Sequence, residues 1–230
     1  MNHNIINIHY DLLIWLGLII TCLSQILIKI AYNKYQKQDN KKRLTGFDVA
    51  RQILDKNGLK DILVLETTGY LSDHYDPIKK VIKLSTNIYN GTTISAAAVA
   101  AHECGHAIQD KEDYKPMRIR SKIIPTVNLF TKLGYISIVI GAIFDYRLME
   151  VGVILLTSIL LFQIITLPVE FNASFRALKQ INIMNLLSQD EQEKAKKVLA
   201  AAAFTYVASV LSTLMQILRY ALIANSRKRN

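Results

Sequence analysis

The chain has 230 residues, is 51% hydrophobic, and carries a formal net charge of +10 with only two cysteines. Cys22 and Cys104, far apart in sequence, exclude a disulfide-stapled fold. A basic excess of this size on a soluble protein would point to nucleic acid. Here no basic–aromatic motif is present and the basic residues flank long apolar runs, so no nucleic-acid partner is expected.

The first apolar run spans 12–28, uncharged and rich in Leu and Ile. Further runs occupy 151–169 and 198–218, and each is near the length that crosses a bilayer as a helix. One such run fits a buried core helix; three or four in a chain this short indicate an integral membrane protein with the lipid bilayer as a partner. The run at 125–144 contains Lys132, and lysine snorkels to an interface only from near a helix end. An interfacial helix followed by a short buried one is the alternative there. The first run reads as an uncleaved anchor, because no Lys or Arg precedes it and no small-residue cleavage site follows it.

Basic residues orient these spans. None precedes residue 12, whereas Lys29, Lys34, Lys37, Lys41, Lys42 and Arg43 follow the first run. The positive-inside rule therefore predicts an N-terminus outside and the next segment in the cytoplasm. Residues 145–150 then form a short outer turn, and Arg176, Lys179, Lys194, Lys196 and Lys197 return to the cytoplasmic side. Arg227, Lys228 and Arg229 conflict with a fourth crossing. Thr205, Tyr206, Ser209, Ser212, Thr213 and Gln216 suit the last helix to packing against protein. The organisation expected is an N-terminal transmembrane anchor (1–32), a cytoplasmic segment (33–121), a membrane helical hairpin (122–169), a cytoplasmic loop or helix (170–199), and a C-terminal membrane or packed helix (200–230).

Within 33–121, residues 45–56 have helical spacing, with Thr45 as N-cap and Gly58 as stop. Residues 61–67 and 80–85 read as strands, separated by the turn signals Gly69 and Asp76-Pro77. An alanine-rich helix follows, capped by Thr92, Thr93 or Ser95, so a small sheet leads into it. An exposed strand edge there could hold an extended peptide; simple packing on the helix is the plainer role.

That helix carries His102-Glu103-Cys104-Gly105-His106. Positions i and i+4 share one helix face, so two imidazoles can ligate one Zn²⁺. Glu103 can reach water at the metal without being a ligand, which is the H-E-x-x-H arrangement of zinc peptidases. The plainer alternative is a hydrogen-bonded, inert histidine pair. Cys104 lies off the shared face and reads as a small core residue. Gly105 weakens a helix interior by roughly 1 kcal/mol, which is easier to explain if something approaches closely.

Catalytic zinc usually has three protein ligands and water. Glu170, directly after a long apolar run and on the same predicted side, is the first candidate for the third. An acid placed by a helix dipole is its plainer reading. His74, Asp73, Asp76 and Asp110 are other candidates. Asp110 would reach His102 poorly and would more naturally orient an imidazole or be solvated. His3 and His9 lie on the predicted opposite side.

Several blocks stand in order along nearly the whole chain: Asp73-His74-Tyr75-Asp76-Pro77, Leu84-Ser85, Ala100-Ala101-His102-Glu103-x-Gly105-His106-Ala107-x-Gln109, Thr166-Leu167-Pro168-Val169-Glu170-Phe171-Asn172-Ala173-Ser174-x-Arg176-Ala177, and Ala202-Ala203-x-Thr205-Tyr206. Together they resemble the YugP-type membrane zinc metallopeptidases of bacteria. The resemblance implies a mainly α integral membrane protein with three to four transmembrane helices. Its zincin-like α+β segment would be an active-site helix plus a short sheet, facing the cytoplasm at the cell membrane. It also implies Zn²⁺ as cofactor, Glu170 as the third ligand beside His102 and His106, and a protein or peptide substrate.

The mechanism expected is peptide-bond hydrolysis by a zinc-activated water, with Glu103 as general base. His74, Tyr75 and Arg176 are candidate oxyanion donors. Asn172, Ser174 and Arg176 are equally candidates for supporting the ligands or for helix packing. The competing class is a zinc-stabilised membrane scaffold that binds partners without cleaving them. Glu103 argues against it, because a structural site needs no base and usually closes all four positions. A transporter, the third class, would need more polar residues inside the bilayer than this chain has.

Overall fold

The computed structural model describes residues 2–69 and 72–228, with side chains of 2–10 and 227–228 left aside. The His3, His9, Arg227 and Lys228 side chains, and Arg229 altogether, fall outside that description. In chain order the elements are α1 (Asn2–Tyr35), α2 (Gly46–Lys56), β1 (Leu63–Thr67), β2 (His74–Asp76), β3 (Val81–Ser85), α3 (Thr86–Tyr89), α4 (Ile94–Lys111), α5 (Lys115–Ile143), α6 (Tyr146–Ile183) and α7 (Gln189–Lys228). They build two compact units, one from residues 2–25, 119–167 and 205–228, the other from 26–118 and 168–204.

The second unit carries the sheet. Thr45 caps α2 in a reciprocal box with Asp48, and Gly58 ends that region with φ +68°. β3 is central, parallel to β1 (Leu63 opposite Val81) and antiparallel to β2 (Tyr75 opposite Ile82). Both long strands lie inside the expected segments. β2 was expected to be part of a turn; three residues are too few to show alternation in sequence. Ile82 and Leu84 of β3 join Val49, Ala50, Ile53 and Leu54 of α2 and Ala97, Ala98, Ala101 and Cys104 of α4 in one core. The small side chains of α4 let α2 come close, and Cys104 Sγ sits 3.6 Å from the Ala50 carbonyl oxygen. Thr93 caps α4, and Ser95 Oγ donates to the Tyr32 carbonyl in α1. These bonds fix the start of α4, so its histidines project from a rigid base.

The first unit is a packing of helix segments. α5 and α6 meet at glycines: a β-carbon on Gly141 would stand 2.3 Å from the Met149 amide nitrogen, and one on Gly152 2.7 Å from the Gly134 carbonyl oxygen. Small residues at a crossing are what brings helices together where water provides no driving force. Residues 125–143 thus belong to one continuous helix containing Pro125, rather than to an interfacial helix and a short buried one. On α7, Gln216 accepts a hydrogen bond from Tyr135, and Ser212 lies against Gly17. Meanwhile Trp15, Leu129, Ile154 and Leu161 are each more than half exposed. Such apolar surface is suited to lipid, and α1, α5, α6 and α7 are all long and apolar enough to cross a membrane.

Candidate metal centre

The site lies within the second unit, on α4 and on the part of α6 from Pro168 onward. On α4, His102 and His106 stand one turn apart with rings near-perpendicular (84°) and centroids 4.8 Å apart. On α6, Glu170 points its Oε2 at both, 3.3 Å from His102 Nε2 and 3.5 Å from His106 Nε2. Gly105 makes this crossing possible. A β-carbon there would sit 2.4 Å from the Ala173 carbonyl oxygen, so the close approach suggested by the sequence is that of the α6 main chain.

The donor set fits zinc. Among the described residues, His102, His106 and Glu170 form a group whose ligand atoms all lie within 4.8 Å of one another. Tetrahedral ligands held about 2.1 Å from one zinc stand about 3.4 Å apart, close to both His–Glu separations. Glu170 is 2% exposed and His106 9%. Burial disfavours the charged form of His106, but its contact with Glu170 and the negative charges of Glu103 and Glu170 outweigh that and raise its pKa above 6.5. The site therefore draws positive charge toward the Glu170 carboxylate, which a divalent cation also supplies. These three residues could hold a metal.

The imidazoles are braced from behind. His106 Nδ1 lies 3.0 Å from Gln109 Oε1, and His102 Nδ1 3.2 Å from Ser174 Oγ. Gln109 in turn donates to the Val169 carbonyl and to Asn172 Oδ1, which also accepts from Arg176 Nε. Arg176 is paired with Glu112 at 2.7 Å. Glu103 is 7% exposed and, among the described residues, has no hydrogen-bond or ion-pair partner, which leaves its carboxylate available. Cys104 is fully buried, and burial pushes its thiol pKa well up, so it remains an uncharged core residue.

The remaining candidates sit elsewhere. Asp110 neither orients an imidazole nor faces water. It is buried, accepts from the Tyr75 hydroxyl at 2.8 Å, and pairs with Lys80 and with Arg118. Tyr75, its pKa raised by burial and then by Asp110, is thereby committed as a donor within this cluster. His74 is exposed and contacts the Ser72 carbonyl oxygen. Asp73 accepts from the Ser85 amide, and Asp76 from the amides of Ile78 and Lys79, so both shape the turns about β2. Sequence reading gave Gln109 no role. The available signal was its position three residues beyond His106 on the same helix face, polar within an alanine-rich run.

Residues 10–225 match the family described as "Putative neutral zinc metallopeptidase". The "Putative membrane protease YugP" of Bacillus subtilis (strain 168) is 42% identical over 209 residues, covering 90% of this chain and 93% of that protein. No solved structure matches the chain. A family match over nearly the whole length, together with four helices long and apolar enough to cross a membrane, places the chain in the neutral zinc metallopeptidase family as a multi-pass membrane protein.

Proposed function

We propose that this protein is a membrane-embedded zinc metalloendopeptidase whose metal is held by His102, His106 and Glu170. The observation that carries the reading is the convergence of the three donors at zinc-like spacing while Glu103 is left uncommitted. When bound, zinc supplies Lewis acidity, lowering the pKa of water toward about 7 and polarising a carbonyl. Glu103 takes the proton of the attacking water and delivers it to the leaving amine. Gly105 keeps α4 and α6 close, so that Glu170 meets both imidazoles. Arg176 and Asn172 brace the ligands from behind; with Arg176 tied to Glu112, bracing fits it better than oxyanion binding.

The lengths of the helices support a site at the edge of the bilayer. α6 has 38 residues, about 57 Å of helix, against a hydrocarbon core of about 30 Å. Glu170 follows the apolar part of that helix, which by its length alone suffices for one crossing of about 20 residues. The basic residues after the first span favour the cytoplasmic face of the cell membrane. A substrate would then be a protein or peptide segment presented at that face.

The test is bound zinc per chain in detergent-solubilised protein, with and without His102→Ala, followed by peptide cleavage with Glu103→Gln. Stoichiometric zinc lost in the first variant, with cleavage lost in the second, is the expected result. Zinc retained by a Glu103→Gln variant whose cleavage is undiminished would instead favour a different base. Zinc with no cleavage of any protein substrate by the wild type would favour the scaffold.

A further inference from the structure

We infer that Gln109 is a positioning residue that fixes the tautomer of His106, holding its proton on Nδ1 and leaving Nε2 as the ring nitrogen that takes a metal. The inference rests on the metal site proposed above but is decided by protein groups alone.

The direction of each hydrogen bond is forced. Gln109 is fully buried, and one end of its carboxamide lies 2.8 Å from the Val169 carbonyl oxygen. A main-chain carbonyl only accepts, so that end is the NH₂ group. The other end, 3.0 Å from His106 Nδ1, is therefore the oxygen, which only accepts. Nδ1 must then carry the hydrogen. A second constraint agrees. The Gln109 amide also donates to Asn172 Oδ1 at 3.0 Å, and the oxygen end of Asn172 is set by Arg176 Nε at 2.6 Å, since a guanidinium only donates. Glu112 holds that guanidinium at 2.7 Å. A flipped Gln109 would set NH₂ against an Nδ1–H, or demand the opposite tautomer, and would place its oxygen against the Val169 carbonyl oxygen inside a buried site.

The two histidines are consequently unequal. His102 Nδ1 meets Ser174 Oγ at 3.2 Å, and a hydroxyl accepts or donates by rotating, so nothing there selects a tautomer. His106 is preset and His102 is adjustable. In a neutral imidazole with hydrogen on Nδ1, the ligating lone pair is on Nε2, the atom aimed at the group formed with Glu170.

The experiment has two readouts on the full-length protein in detergent. The first is ¹⁵N spectroscopy of histidine-labelled, metal-free protein at alkaline pH, with the His106 signals assigned by their loss in His106→Gln. The Nδ1–H form is expected in the wild type, with Gln109→Leu moving toward the Nε2–H form common in water. A wild-type His106 in the Nε2–H form overturns the inference without any variant. The second is zinc affinity by chelator competition. Gln109→Leu should bind about 10–100-fold more weakly. A loss of affinity in Gln109→Leu with the tautomer unmoved would assign Gln109 to packing and overturn the inference. Absence of zinc binding in the wild type would sink the metal reading, while the ¹⁵N result would still decide the tautomer.

Discussion

Gly105 of α4 and Ala173 of α6 are in main-chain contact, with room for hydrogen but not for carbon: a β-carbon at 105 would lie 2.4 Å from the Ala173 carbonyl oxygen. Because the obstacle is backbone, neither side can yield by a rotamer change, and one helix must move. Gly105→Ala should therefore separate α4 from α6 just where Glu170 reaches the histidines. Overpacking of this kind destabilises by about 1–3 kcal/mol, partly offset by the better helix propensity of alanine. The expected outcome is a folded but less heat-stable protein with weakened zinc binding, read by thermal unfolding and chelator competition. Undiminished affinity would show that the site does not depend on this contact.

Local chemistry explains which parts could be read from the sequence. The Thr45 cap, the Gly58 stop and the Thr93 cap depend on residues within a few positions of each other, and they lie where local rules place them. The His102–His106 pair is likewise a property of one helix. Glu170 could be singled out because a carboxylate at the end of an apolar run needs a partner, although which partner required the α4–α6 crossing. Asp110 shows the limit. Its partners Tyr75 and Lys80 are 35 and 30 residues away in sequence, and only β2 and β3 bring them to it. Gln109 escaped notice for the same reason, since Val169 and Asn172 are 60 and 63 residues distant.

Asp110 should make stability depend on acid pH. Burial alone would raise its pKa, but Lys80 and Tyr75 hydrogen bonds, with the charges of Lys80 and Arg118, outweigh it and hold the pKa below the ordinary 3.8. A carboxylate with a folded pKa below its unfolded value stabilises fully above the unfolded pKa, and loses that contribution as pH falls through the folded one. Asp110→Asn should therefore be less stable than the wild type at neutral pH, by about 1–3 kcal/mol for a buried partner lost. The gap should close only below about pH 4. Unfolding of metal-free protein across pH 3–7 checks this, and a gap independent of pH would remove ionisation from the explanation.

Glu170→Gln separates the charge of the third ligand from its shape. The amide retains the length of the side chain but not the negative charge that faces both imidazole Nε2 atoms at 3.3 and 3.5 Å. Zinc affinity should fall by more than the roughly 10–100-fold typical of losing a group behind a ligand, and therefore by more than in Gln109→Leu. Parallel titrations of the two variants give the comparison. An affinity equal to that of the wild type would transfer the third-ligand role to another group.

Glu103→Gln tests chemistry with the metal site left whole. Glu103 is buried beside His102 on α4 and has no hydrogen-bond or ion-pair partner among the described residues, so exchanging its carboxylate for an amide breaks no bond that shapes the site. Removing its negative charge should also lessen the pull toward protonation at His106, to which that charge contributes. Zinc content should then be unchanged or slightly better retained in mild acid, while cleavage falls by about 10²–10⁴-fold, the usual contribution of a positioned proton carrier. A scaffold protein would have no cleavage to lose, and a different base would leave the rate intact. Metal content and turnover measured on the same preparation therefore separate all three outcomes, because only a general base at position 103 lowers turnover while metal content is held.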